Sequence, residues 1–267
     1  MSSRIVLVTR LASSLGVSGT HDQLAVADIR HADAVESAIA DHHRGGESVV
    51  LTGALEDAED LTVMAARSRV RIPGLRVAVE PLPGNPLALA IISSLADDAD
   101  GDSAWMHAAL DDLRQRTWSG TWLTKLSHLT RPNPTVWQQI ASWLPGAAFL
   151  AEHSPAPSVT TAKRAPLNAL PARPGTALLH SPTDSWVVEA VLESLGSTSS
   201  TPVAPARDLI DSYGTSSAIE FVAIPEDFRE AATRIAAEAV VCTACGMRHA
   251  RTSCPYCRMT ITSGVLS

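Results

Sequence analysis

All four cysteines of this 267-residue chain fall near its carboxyl end: Cys242-Thr243-Ala244-Cys245 is followed, after eight residues, by Cys254-Pro255-Tyr256-Cys257. A C-x-x-C pair presents two thiolates on one tight turn, and two such pairs supply four soft ligands for a tetrahedral ion. Four sulfurs close the coordination sphere, so the expected metal is structural and keeps no open position to activate water. Zinc, one ion per chain, is the expected occupant, and iron is the alternative for the same four sulfurs. A segment this small has little core of its own, so the metal should supply its folding energy. Loss of one cysteine is therefore expected to unfold the tail and leave the rest of the chain folded.

Other residues with chemical potential are more scattered. Arg248, His249, Arg251 and Arg258 surround the cysteines and suit phosphate contacts. With four thiolates and a divalent ion, this segment carries a mildly basic charge, whereas the whole chain has a net charge of −7. An acidic body opposes strong attachment to nucleic acid, which leaves nucleic-acid binding as a secondary alternative. No G-x-x-x-x-G-K-[ST] loop is present, and Leu11 to Gly19 has two glycines without the G-x-G-x-x-G spacing. His180, Asp184 and Ser185 follow an expected strand, at the edge where α/β sheets hold ligands, but no G-x-S-x-G elbow accompanies them. No catalytic residues are assigned. Asp97, Asp98, Asp100 and Asp102 form an acidic cluster that reads as a solvated turn, and His42-His43 reads as a helix cap.

The elements that must carry these groups alternate. Arg4 to Thr9, Ser48 to Thr52 and Leu75 to Glu80 are apolar runs rich in β-branched residues, expected as buried strands. Ala32 to His43, Leu55 to Ser68 and Asn85 to Leu95 are expected helices between and after them. Residues 1–101 thus form an expected first α/β unit with a mostly parallel sheet. Residues 102–152 hold five of the six tryptophans and are expected to be a helical bridge, with Trp118 and Trp122 on one helical face. These tryptophans read first as core packing and second as a partner interface. Residues 153–175 contain five prolines and are expected to be a linker. Residues 176–239 are expected to be a second α/β unit, with helices closed by Gly196 and Gly214, and residues 240–267 carry the cysteines. The expected fold class is α/β, with two Rossmann-like units, a helical bridge and a small metal-binding tail. Pro86 to Ala96 is too short and too interrupted to span a bilayer, and the apolar run at the amino end stops at Val8, so neither a membrane span nor a secretory leader is expected. Reduced cysteines fit a cytoplasmic location.

Cys245-Gly246 and Cys254-Pro255 resemble the knuckles of rubredoxins, which hold iron. The eight-residue spacer and the single aromatic Tyr256 resemble more closely a zinc ribbon. The last ninety residues are also loosely similar to the A subunit of dimethylamine monooxygenase, through Pro174 to Leu179, Ser185-Trp186 and Cys242, Cys245, Cys254 and Cys257. The spacer is shorter here than in that family, and the tail ends within ten residues of Cys257. The sequence therefore leads to an expectation of a non-catalytic cytosolic subunit that docks into a larger protein assembly through its zinc ribbon. The resemblance implies, as an alternative, an accessory or electron-transfer subunit of a monooxygenase-type oxidoreductase.

Overall fold

The computed structural model describes residues 3–9, 24–44, 47–97, 102–163, 167, 170–204 and 209–260. The fold is α/β, as expected. Its first sheet is fully parallel, in the order β2-β1-β3-β4, from β1 (Ser3–Thr9), β2 (Ala25–Asp28), β3 (Ser48–Ala54) and β4 (Val77–Leu82). Alternation along these strands divides the apolar side chains between two faces. Val6, Val8, Val49, Leu51 and Val77 pack with Val35 and Ile39 of α1 (Ala32–Arg44) and Leu61 and Ala65 of α2 (Ala58–Arg71). Ile5, Leu7, Val50, Ala78 and Leu82 face the other way, onto α3 (Pro86–Asp97) and α4 (Ser103–Arg116).

The second sheet has six strands in the order β7-β6-β5-β10-β8-β9, built from β5 (Trp118–Leu123), β6 (Phe149–Ser154), β7 (Ser158–Thr161), β8 (Thr176–His180), β9 (Ser199–Pro202) and β10 (Ile219–Pro225). Its pairings are antiparallel except for β8 with β9. Val222 and Ile224 of β10 join the α3/α4 core together with Phe228 and Ala232 of α8 (Phe228–Ala237). Phe221 and Ala223 face oppositely, onto Trp118 and onto Val187 and Val191 of α6 (Trp186–Leu195). The helices α3, α4 and α8 are thus the filling between two sheets.

Three expectations are corrected here. The tryptophan-rich segment is not helical throughout: α4 and the short α5 (Val136–Ala141) are helices, but Trp118 and Trp122 lie on β5, inside the second sheet. Residues four apart share a face in a strand as they do in a helix, so their spacing could not separate the two. The proline-rich stretch begins with the end of β6 and includes β7, which pairs with it. The second sheet is mixed, not a second parallel Rossmann-like sheet. Gly196 and Gly214 take positive φ at the ends of α6 and of α7 (Leu209–Tyr213), as expected of helix-closing glycines.

Candidate ligand cleft and four-cysteine cluster

The cysteine segment makes two turns of the same construction. In the first, the Gly246 N–H donates to the Cys242 carbonyl at 2.8 Å and the Cys242 N–H to the Met247 carbonyl at 2.9 Å. In the second, Arg258 donates to Cys254 at 2.9 Å and Cys254 to Met259 at 2.9 Å. The residue after each pair is left-handed, Gly246 at φ +75° and Arg258 at φ +63°. Glycine accepts this conformation without strain; arginine does not.

The four sulfurs lie within 4.8 Å of one another, with Cys242 to Cys257 and Cys245 to Cys254 each 3.5 Å apart. A tetrahedral ion with metal–sulfur bonds of about 2.3 Å needs sulfurs about 3.8 Å apart, so the cluster is the right size for one metal ion. This arrangement is consistent with a zinc ribbon. The short hairpin of β11 (Val240–Val241) and β12 (Arg248–His249) carries the first turn.

This segment is anchored to its own chain. Met247, Cys242, Cys254 and Tyr256 belong to the same buried cluster as α3 and α4. The Tyr256 ring stands edge-on to His107 at 5.3 Å, and its hydroxyl lies 2.9 Å from Ser3 Oγ. Burial pushes the Tyr256 hydroxyl up to about 12. Arg251 donates to both Asp111 oxygens at 2.7 Å and also to Glu80 of β4. Burial alone would raise the Glu80 carboxyl, but His107, 3.2 Å away, and Arg251 hold it at about 2. Arg248 pairs with Asp102 at 2.9 Å. Two of the three arginines expected to meet phosphates are therefore committed within the chain. His249 is buried, and the tail is not a separable module: its side chains complete the core between the sheets.

A cleft of about 580 Å³ opens at the carboxyl ends of β1, β3 and β4, lined there by Thr9, Ala54 and the run from Pro83 to Pro86. The facing wall comes from the connection after β5 (His128 to Asn133), from His153 of β6 and from Ser212 and Tyr213 of α7. Gly84, at φ +138°, lets the chain leave β4 in a conformation that L-residues rarely adopt, and a Cβ there would lie 2.8 Å from Ala88. Asn85 then ties the two sheets together. Its Oδ1 accepts from Ala88 N at 2.9 Å at the start of α3, while Nδ2 donates to the Gly120 carbonyl of β5 at 2.9 Å and the Phe221 carbonyl of β10 at 3.3 Å.

A polar relay lies behind the cleft wall. His153 Nε2 is 3.0 Å from Thr121 Oγ1, which lies 3.2 Å from the Tyr213 hydroxyl, and that hydroxyl donates to Glu220 Oε1 at 2.8 Å. Desolvation holds the His153 imidazole down at about 4, so the ring is neutral near pH 7. The cleft thus combines leucine and proline surfaces, a neutral histidine and a tyrosine with two carboxylates, Glu56 and Asp57, on the side of β3, and with the exposed cation Arg131 on the facing wall. An amphiphile would place an anionic head at the Arg131 side, away from the two carboxylates.

Other candidate groups have structural uses. Ser185 caps α6, accepting from Val187 N, and His180 Nδ1 donates to the Ser181 carbonyl at 2.8 Å, so the two form no triad. Asp97 Oδ1 accepts from Ile5 N at 2.8 Å and Asp102 caps α4, so neither is part of a free cation site. Asp98, Asp100 and the loop from Leu11 to Gly19 lie outside the described residues. His42 pairs with Glu47 at 3.3 Å near the end of α1. Among the described residues no helix is long and apolar enough to cross a membrane. The cleft residues Asn85, His153 and Tyr213 come from three distant segments, as does Thr121 behind them, and no local spacing marks them.

No family model matches the chain, and no curated protein does. Among solved structures, its fold is that of DegV-family proteins. A DegV family protein from Corynebacterium glutamicum is 14% identical, with a TM-score of 0.59 over 84% of this chain and 97% of the other. A DegV family protein from Eubacterium eligens, loaded with heptadecanoic acid, is 12% identical, with a TM-score of 0.59 over 84% of this chain and 100% of the other. The fatty acid kinase B3 protein of Streptococcus pneumoniae, loaded with linoleic acid, is 9% identical, with a TM-score of 0.56 over 84% and 99%. These likenesses overturn the docking-scaffold function and both of its alternatives. The structural likenesses are to DegV-family proteins and not to the monooxygenase subunit that the last ninety residues loosely resemble; paired cysteines at this spacing recur on unrelated folds and do not identify one.

Proposed function

We propose that this chain binds one long-chain fatty acid in the cleft between its sheets. The observation that carries the reading is the cleft of about 580 Å³, placed at the carboxyl ends of parallel strands and lined by both apolar and polar groups. Leu55, Leu89 and Leu129 offer surface to methylene groups, and Arg131 with His128 offers the carboxylate a partner. Proteins of the same fold loaded with heptadecanoic and linoleic acids support this choice of ligand. We also propose that Cys242, Cys245, Cys254 and Cys257 hold one zinc ion, whose chemistry with four thiolates is structural. The cysteines' own part is to fold both turns around the ion and so to seat Tyr256.

A protein partner belongs to this reading in a narrow form. One protein of like fold is named a fatty acid kinase B3 protein, and a protein partner that transfers the terminal phosphoryl group of a nucleoside triphosphate to the bound carboxylate, releasing the diphosphate, fits this reading. Reduced thiols ready for a metal accord with the cytoplasm. The test is native mass spectrometry of the purified chain, followed by palmitate titration after delipidation. A mass increment of one fatty acid and saturable binding are expected. A chain that carries no lipid and does not bind palmitate would sink the proposal.

A further inference from the structure

We propose that Arg251 is a positioning residue through which metal occupancy of the four cysteines sets the shape of the ligand cleft. The inference rests on the fatty-acid reading of the cleft and extends it to regulation by the metal. β4 is an edge strand, paired among the described residues with β3 alone. On its way to the cleft it is gripped twice by groups tied to the cysteine segment. Arg69 Nη2 donates to the Val77 carbonyl at 2.6 Å and to the Tyr256 carbonyl at 3.2 Å, bridging the strand to the second cysteine turn. Arg251, between the two cysteine pairs, binds Glu80, whose side chain is 6% exposed, while its other bonds fix Asp111 of α4.

Two residues beyond Glu80 the strand ends, and Pro83, Gly84 and Asn85 form the cleft wall. Arg251 has no helix or long strand to hold it. Its place is set by the two cysteine turns on either side, and these close around a metal. Without the ion, the segment from Val240 to Thr260 loses the bonds that order it, and Glu80 loses the guanidinium that ties it to that segment, keeping only His107 at 3.2 Å and Arg114 at 3.8 Å, both of α4. The edge strand then loosens at the residues that shape the cleft. Coupling of this kind is reciprocal: a bound fatty acid must tighten zinc by the factor by which zinc tightens the fatty acid.

The experiment compares the full chain with zinc bound and with zinc removed by a chelator, in the wild type, Arg251→Met, Arg251→Lys and Glu80→Gln. Amide exchange over residues 77–89 is read without any ligand, and affinities for palmitate and for zinc are read separately. In the wild type, chelation is expected to speed exchange at 77–89 and to weaken palmitate roughly 5- to 20-fold. Palmitate is expected to tighten zinc by the same factor. Arg251→Met is expected to keep one zinc, to show the fast exchange already with zinc bound, and to lose the coupling; Arg251→Lys should restore part of it. If Arg251→Met does not fold, Glu80→Gln with zinc bound is expected to show a smaller coupling than wild type. Unchanged exchange at 77–89 on chelation, an equal effect of chelation in wild type and variants, or a chain that binds no zinc overturns the inference. Failure of palmitate to bind the zinc-loaded chain sinks the cleft reading instead, and the exchange measurement still decides the role of Arg251.

Discussion

Asn85→Ala probes the join between the two sheets. The substitution removes the amide that donates to the Gly120 and Phe221 carbonyls, both in the interior of the second sheet, and the oxygen that accepts from Ala88 N. Each carbonyl left without its donor costs about 1 kcal/mol, and the lost helix cap costs about 1 kcal/mol more. The expected loss is about 3 kcal/mol. With a urea dependence of about 3 kcal/mol per molar, the unfolding midpoint should fall by about 1 M. Asn85→Ser separates the two roles: its hydroxyl can still cap α3 but cannot reach both carbonyls, so about 2 kcal/mol should be lost. Urea unfolding followed by circular dichroism measures both, and palmitate binding should weaken in parallel because Asn85 also lines the cleft. A midpoint shift below about 0.3 M for Asn85→Ala, or equal shifts for both variants, would refute the argument that this side chain braces the sheets.

Other outcomes follow from the same geometry. The His153 imidazole titrates at about 4 in the folded chain, below its ordinary value, so its contribution to stability is complete above about pH 6.5 and is lost as pH falls toward 4. Discounted for the ring's partial exposure to the cleft, that contribution is about 2 kcal/mol, and His153→Gln should flatten the stability profile in this window of acid unfolding. Arg258→Gly relieves a left-handed arginine at φ +63° and should stabilise the second turn by about 1 kcal/mol, read as zinc affinity higher by about fivefold. Cys254→Ser should abolish zinc binding, and exchange should quicken beyond the tail, at Ser3 and Ser48, because Tyr256 loses its seat beside them. Trp137, 79% exposed, and Trp143, 76% exposed, should each tolerate glutamine with a change below about 0.5 kcal/mol in unfolding.

Three strands of the parallel sheet are legible because they are buried on both faces and so form unbroken apolar runs, as in Ile5 to Val8 and Val49 to Leu51, whereas the edge strand β2, four residues long and mostly half-buried, carries no such run. β5 was not, since Trp118-Ser-Gly-Thr-Trp-Leu breaks its apolar pattern with Gly120, which makes room for the Trp118 ring. β9, exposed at all four positions, has no apolar pattern to read. The four cysteines were legible as a set because their spacing is local. The sequence displays the charge of Arg251 but not its partners, because Glu80 and Asp111 are 171 and 140 residues away and nothing local joins them. The cleft escaped notice for the same reason: its polar groups meet only when both sheets are assembled.

The contact between Tyr256 and Ser3 spans 253 residues of chain. Ribosomes add about 5 to 20 residues per second, so β1 leaves the exit tunnel on the order of tens of seconds before the tyrosine that rests against it is made. During that interval the first sheet has its strands in hand but lacks the groups that cover the far side of β4, and an uncovered edge is where one nascent chain can pair with another. On the proposed metal reading, this exposure would end only with the second cysteine turn and the ion that it would hold.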